Sequence, residues 1–292
     1  MTIKSISELE AEYRASIAAA DLYSVDMSKW LPTFGTKLRP LVGGELVAII
    51  GDVGTGKSAV AQNIIHSMRY LTALYFSIEL PGSLMFERQV GMAHNASGED
   101  VEKAYRAGDH LDLAALTDLY VCPDSQISTE GIEAHIFDLK ERLDISGPHL
   151  VIVDYIGLVT GYGKRYERVS NAAEDLKRIA KTTDTVIVLV SQVHRSGDEE
   201  TQEIFLHSAK DSGSIEASCG LAIGIWRDPE DASALWVKIL KSTKGKASAG
   251  RIATTKILCN FDRNTLRITE RTKHEDGEFD RECDFIKDKQ AD

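Results

Sequence analysis

The strongest chemical signature is eight consecutive residues, Gly51-Asp52-Val53-Gly54-Thr55-Gly56-Lys57-Ser58. They fit the pattern G-x-x-x-x-G-K-[ST]. In it, glycines let the backbone wrap a phosphate with its N–H groups, and the following helix aims its positive end at the same anion. Lys57 would reach the β- and γ-phosphates, Ser58 would offer its hydroxyl to Mg2+, and Ala59 is counted with the cradle. The chemistry expected of such a segment is the binding and hydrolysis of ATP with Mg2+.

Three more polar residues end apolar stretches where such chemistry needs them. Asp154 closes Leu150-Val151-Ile152-Val153, the place from which a second acidic group holds the magnesium. Glu79 closes Leu74-Tyr75-Phe76-Ser77-Ile78, and a carboxylate at that edge of a sheet can take a proton from an attacking water. Gln192 follows Val190 and Ser191, where an uncharged amide can sense the γ-phosphate. A polar residue after an apolar strand is also an ordinary loop start; the phosphate-binding motif favours the metal role for Asp154.

The elements that must position these residues follow an α/β pattern, strand then turn then helix. Strands are predicted at 46–50, 73–78, 118–122, 149–153 and 185–190, and helices at 57–71, 82–95, 98–107, 128–143 and 170–183. β-rich segments follow at 220–226, 235–241, 251–259 and 264–269. Uninterrupted apolar runs such as LVIVD and TVIVLV read as strands of a mainly parallel sheet covered by helices on both faces. Ahead of this, Ser5 and Glu8 fit a capping box, and Ile6, Leu9, Tyr13, Ile17 and Ala20 recur at helical spacing. Residues 1–35 are therefore expected to be an arm carrying an amphipathic helix that packs on its own domain or docks on a neighbouring subunit. Residues 36–270 form the main domain, and 271–292 an acidic, flexible tail.

The bulk properties exclude several classes. With 292 residues, 43% of them hydrophobic, the chain is long enough to bury a large core. No apolar run reaches the length of a membrane span, and the N-terminus lacks a secretory signal, so a cytoplasmic protein with no membrane partner is expected. Cys122, Cys219, Cys259 and Cys283 lie far apart with no C-x-x-C pair, which suggests reduced thiols rather than a zinc site or disulfides. A net charge of −11 argues against a surface that grips nucleic acid all over, and leaves local basic loops as the places where a strand can pass.

The order of several segments goes beyond generic α/β grammar. YFSIEL (75–80), VIVDYIGLV (151–159), VSQVHRS (190–196) and KDSGSIE (210–216) ahead of LAIGIWRD (221–228) make the chain resemble the DnaB-like replicative helicases over roughly residues 40–270. The resemblance implies a RecA-like P-loop motor domain with antiparallel strands on its C-terminal side. It implies a homo-hexamer or other ring with ATP between subunits, moving 5′ to 3′ on single-stranded DNA. It makes Glu79 the catalytic base and Gln192 the sensor, and gives Arg227 and Phe261 the role of sandwiching the adenine. The channel loops would be Thr160–Arg168, with Lys164 and Arg165, and Val193–Lys210, with Arg195 and Lys210, their cations contacting the DNA backbone. Asp198, Glu199 and Glu200 would oppose phosphate in the second of them.

Two departures from the family pattern stand out. A K-x-R motif should reach the neighbouring subunit's ATP site, but here the stretch reads Lys241-Ser242-Thr243, with Thr243 in the arginine's place. Lys244 or Lys246 is the nearest substitute, as a point charge rather than a planar fork. The N-terminal domain through which bacterial relatives contact primase is also expected to be lacking, which would favour a phage- or plasmid-type helicase in a bacterial cell, with a loader or primase as further partners. Two alternatives stay open: a RecA- or RadA-like recombination ATPase, and a weakly hydrolysing ATP-binding subunit that holds a replication complex together.

Overall fold

The computed structural model describes residues 4–192, 202–206, 212–246 and 255–271. Helix α1 (Ile6–Tyr23) opens on the expected capping box, with the Ser5 N–H donating to Glu8 Oε2 at 2.6 Å. Ile6 and Leu9 are exposed on it; the side chains of Ile17 and Ala20 lie outside what is described. A 3-10 turn at Met27–Lys29 and the short α2 (Pro32–Lys37) follow. Here the expectation of an arm to residue 35 is corrected. Val25, Leu31 and Phe34 are fully buried in the main core, and Val25 pairs with Leu41, so the chain joins the domain about ten residues early. The sequence hides this burial because Pro32, Gly35 and short polar residues break the apolar period that marks a core helix.

The sheet-forming part begins with β1 (Leu46–Gly51) and α3 (Lys57–Ser67), then β2 (Ala73–Ser77), α4 (Gly82–His94), α5 (Gly98–Arg106), β3 (Leu119–Cys122) and α6 (Thr129–Leu143). It continues through β4 (Leu150–Asp154), α7 (Arg165–Thr183), β5 (Val186–Gln192), α8 (Ser212–Ser218), β6 (Leu221–Arg227), β7 (Ala234–Ser242), β8 (Lys256–Phe261) and β9 (Ile268–Glu270). Among the described residues these strands form one sheet in the order β3-β2-β4-β5-β1-β6-β7-β8-β9. The first six in that order are parallel, and β7, β8 and β9 extend the sheet as antiparallel neighbours.

Both faces are buried, as the uninterrupted apolar runs require. Along β1, Val47 and Ile49 enter one core with α3 and the segment around Phe34, while Leu46, Ala48 and Ile50 enter the other with α6, α7 and α8. The period-2 alternation of a strand thus feeds two cores from one sequence.

Several boundaries differ from expectation, each for a local reason. Helix α3 stops at Ser67 rather than 71, where Met68 and Leu71 close tight turns on Ile65 and Met68. Helix α7 starts at Arg165 rather than 170, because its first turn is polar and exposed and so carries no apolar signal; the Lys164 N–H is instead capped by Glu167 at 2.8 Å. Helix α8 occupies what reads as a Gly/Ser-rich approach to β6. Strand β5 runs on through Ser191 and Gln192, and β9 spans Ile268–Glu270 against the predicted 264–269. Cys219 and Cys259 are buried free thiols and Cys122 is half-buried, while Cys283 lies outside the described residues. No described helix is long and apolar enough to cross a membrane.

Candidate active site

The parallel strands point their C-terminal ends to one edge, where ligands of open α/β sheets bind. Register fixes which residues meet there. Gly51 lies level with Gln192 on one side and Ile225 on the other, and Asp154 lies level with Ser77. The Ile78 N–H donates to the Asp154 carbonyl at 3.0 Å, and Ser77 Oγ donates to the Leu80 carbonyl at 2.8 Å. These two bonds carry the chain past the end of β2 and set Glu79 beside Asp154, two residues beyond the strand it was expected to close.

A cleft of about 510 Å³ opens at this edge, walled by Gly54, Gly56, Lys57, Ser58 and Ala59 with Glu79, Asp154 and Gln192. Val53 lines it too, but Gly51, Asp52 and Thr55 do not; they brace the loop from behind. Thr55 Oγ1 and Lys57 Nζ both donate to the Asp52 carbonyl, at 2.9 and 2.6 Å, and a side chain at Gly51 would strike Ile225 and Thr55. Gly54 and Gly56 adopt φ of +73° and +105°, conformations that side-chain-bearing residues rarely take, and these let the loop curl ahead of α3. The loop's N–H groups and the N-terminus of α3 thus form a cradle for phosphate.

Asp154 is buried, and its two oxygens have different surroundings. Oδ2 accepts from the Tyr75 hydroxyl at 2.6 Å, while Oδ1 is sealed from solvent with no hydrogen-bond partner among the described residues. Burial raises the Asp154 pKa, against the pull of the Tyr75 and Ser58 hydroxyls and the charges of Lys57 and Arg88. Burial likewise lowers that of Lys57, opposed by Asp154, Asp52 and Glu79. The Tyr75 phenol is pushed well above its ordinary value by burial and then by the Asp154 charge, so it stays a donor. A buried, unspent carboxylate oxygen beside a serine hydroxyl fits a hard divalent cation such as Mg2+.

Arg227 and Phe261 line the same cleft, with the guanidinium stacked on the ring 3.9 Å from its centroid. The pair touches the loop, since a Cβ on Gly56 would lie 3.6 Å from Arg227 Nη2. A base sandwiched between them would need two stacking distances where there is one, so the expected role requires the pair to part. Burial, then the nearby Arg263, lowers the Arg227 pKa to about 10, and its Nη1 has no partner among the described residues.

Sequence reasoning missed five residues of this cleft, Leu80, Arg88, Tyr155, Arg263 and Leu266, of which Arg88 bears most on the chemistry. Arg88, on α4, lines it half-buried, and its guanidinium makes no hydrogen bond or ion pair among the described residues. Its only sequence signal is position: it lies nine residues after Glu79, on the helix that the turn after β2 feeds into.

Other expected site residues lie elsewhere. Strand β7 runs antiparallel to β6, so Lys241 is level with Ala222 and Ser242 with Leu221, at the edge opposite the cleft. There Lys241 Nζ donates to the Glu216 carbonyl, Lys244 pairs with Glu45 at 3.7 Å, Lys246 donates to the Gly35 carbonyl, and Thr243 Oγ1 donates to the Gly220 carbonyl. Lys164 and Arg165 are exposed at the start of α7. Arg195 and Lys210 lie outside the described residues.

A strand, a glycine-rich loop and a helix around a phosphate cradle, with an acidic residue ending a nearby strand of a mainly parallel sheet, define a RecA-like P-loop nucleotide-binding domain. The family model for the DnaB-like helicase C terminal domain matches residues 31–268, and the chain belongs to that family. It is similar to the replicative DNA helicase DnaB of Geobacillus stearothermophilus, 22% identical over 82% of this chain and 58% of the relative. It is also similar to the DnaB of Treponema pallidum, 27% identical over 66% of this chain and 47% of the relative. The chain thus spans about half the length of the curated relatives it matches. Among solved structures, the ATPase domain of G40P superposes with a TM-score of 0.74 at 18% identity, covering 93% of this chain and 100% of that one. A DnaB-like replicative helicase described with its interactions with primase gives 0.68 at 17% identity, over 92% of this chain and 67% of that one. At such identities the superpositions speak for the fold.

Proposed function

We propose that the chain is the motor of a ring-forming DNA helicase that uses ATP and Mg2+ to move 5′ to 3′ along single-stranded DNA in replication. The observation that carries this reading is the meeting of Lys57, Ser58, Glu79, Asp154 and Gln192 in one cleft, in a chain of the DnaB-like family. The loop N–H groups hold the phosphates, and Lys57 exchanges its bond to the Asp52 carbonyl for phosphate oxygens. Mg2+ held by Ser58 and Asp154 would offset the charge that builds on the β- and γ-oxygens. Glu79, exposed at the rim, takes the proton of the attacking water. Arg88 presents an unpaired guanidinium to the γ-phosphate oxygens from the same subunit, the position an arginine finger in cis would take.

Gln192 is the last residue of β5, so a shift at the γ-phosphate passes directly into the segment that carries Arg195 and Lys210. With Lys164 and Arg165, these supply cations to the DNA backbone. In a ring, Lys241 with Lys244 or Lys246 faces the neighbouring copy's nucleotide, and a loader or primase completes the set of partners inside a bacterial cell. The deciding experiment measures ATP turnover with and without single-stranded DNA, alongside particle mass in a non-hydrolysable ATP analogue. DNA-stimulated turnover by a ring is expected; turnover indifferent to DNA sinks the motor reading.

A second reading is favoured by one observation: Thr243 stands where a finger is expected, and all three neighbouring lysines are engaged within their own subunit. On that reading the chain is an ATP-held assembly subunit. It predicts a ring that forms with ATP and hydrolyses slowly whether or not DNA is present.

A further inference from the structure

A second cleft, of about 650 Å³, lies between the start of α6, the turn at 160–162 and the outer face of α7. Its walls are tied together. Thr160 N–H donates to the Ile127 carbonyl at 2.8 Å, bridging the turn to the approach of α6, and Thr129 Oγ1 donates to Asp175 on α7 at 2.9 Å. The cleft is therefore preformed, and it opens six residues after Asp154, beyond the same sheet edge that carries the phosphate cradle.

Two properties narrow what it can take. The first is Tyr162, at the tip of a Gly-Tyr-Gly turn and 98% exposed, so both faces of its ring are open to stacking at the cleft mouth. The second is mixed charge. Glu130 and Asp175 line the cleft together with Arg168, whose Nε is sealed from solvent without a hydrogen-bond partner among the described residues. Two carboxylates repel a phosphate placed inside, and Arg168 disfavours a simple cation. A flat neutral molecule with donors and acceptors along its edge satisfies both signs and offers a π-face to Tyr162.

We infer that this cleft receives an unpaired nucleobase of a single strand, with Tyr162 stacked on the base and Arg168, Asp175 and Glu130 reading its edge. The inference rests on the motor reading and deepens it. Lys164 and Arg165, exposed just past the turn, hold the backbone outside the cleft while the base turns in. Base–aromatic stacking of this kind is tolerant of sequence, as a motor that must pass every base requires.

The test compares binding of a labelled oligothymidylate with that of an abasic strand of equal length, to the full chain and to Tyr162→Ala and Tyr162→Phe. Because Tyr162 is almost wholly exposed, neither change threatens the fold. Tyr162→Ala should weaken oligothymidylate binding about tenfold, the low end of one lost stacking contact. Tyr162→Phe should match the unaltered chain, and all three proteins should bind the abasic strand equally weakly. Equal oligothymidylate binding by Tyr162→Ala and the unaltered chain would overturn the assignment, as would an abasic strand held as tightly as oligothymidylate. A change in particle mass with no change in affinity would overturn it too, by making another copy of the chain the occupant. If the unaltered chain binds neither strand, the motor reading falls along with it, an outcome distinct from failure of the cleft alone.

Discussion

The two edges of the sheet use their polar groups in opposite ways. At the C-terminal edge, the Oδ1 of Asp154, the Nη1 of Arg227 and the guanidinium of Arg88 have no hydrogen-bond partner among the described residues, although each is at least partly buried. At the other edge, Lys241, Thr243, Lys244 and Lys246 all bond within their own subunit. Leaving a buried polar atom such as Asp154 Oδ1 or Arg227 Nη1 unpaired costs about 1–3 kcal/mol, a cost that a ligand bound in the cleft would remove. The opposite edge carries no such cost and is ready for water. Its contacts are partly buried, and the ion pair of Lys244 with Glu45, at a long 3.7 Å, is worth about 1 kcal/mol or less and can be exchanged when a neighbouring surface arrives.

If the first edge is built around a triphosphate, its residues should dominate turnover. Glu79→Gln, which keeps the shape and removes the base, should lower DNA-stimulated ATP turnover by about 10³-fold, within the usual range for a general base. Lys57→Ala should lower it similarly and weaken nucleotide binding as well. Unaltered turnover in both variants would break the comparison at once. Arg88→Ala is next: about a 10²-fold loss in kcat with little change in KM, the signature of a group that acts on transition-state charge. A rise in KM alone would make Arg88 a binding contact and move the chemistry to the neighbouring subunit. Tyr75→Phe strips the donor from Asp154 Oδ2 and leaves both carboxylate oxygens short of partners. It should cost about 1–3 kcal/mol in urea unfolding, and the loss should shrink when Mg2+ and nucleotide are present.

The sequence made the first edge readable because its chemistry is local. Gly51 through Ser58 announce themselves in one window, and Asp154, Glu79 and Gln192 each end an apolar run, so strand ends alone place them. Arg88 carries no such signal, because its place in the cleft without a hydrogen-bond partner among the described residues is a property of the packed structure rather than of any motif. The stack of Arg227 on Phe261 joins residues 34 apart in the chain, and its closeness could not be read from either strand. The burial of the stretch around Leu31 and Phe34 is hidden in the sequence, since Pro32 and Gly35 interrupt the helical period while its partners include residues far along the chain, such as Glu270, which accepts from the Thr33 N–H. Tyr162 carries less signal in the sequence than the neighbouring Lys164 and Arg165, because charge can be read from residue type and exposure cannot.

The second edge should respond weakly, and the small effects discriminate most sharply. Thr243→Arg puts a planar guanidinium where the family pattern has one. If the neighbouring nucleotide lacks only that fork, turnover should rise about tenfold, the worth of one added hydrogen bond to a charged group at roughly 1.5 kcal/mol. No rise would mean the edge does not face a nucleotide, in keeping with the assembly-subunit reading. The smallest effect belongs to the Lys244–Glu45 pair, whose side chains are 28% and 14% exposed at a separation of 3.7 Å. Glu45→Gln frees Lys244 and keeps an oxygen for the Val42 N–H, which donates to Glu45 at 2.8 Å. If Lys244 serves the neighbouring site, loosening it should raise turnover up to about threefold, since the pair it leaves is worth under about 1 kcal/mol. Lys244→Ala should lower turnover by a comparable factor. If both variants instead move turnover in the same direction, Lys244 is only a clasp on its own subunit, and the search for the cation in trans passes to Lys241 and Lys246.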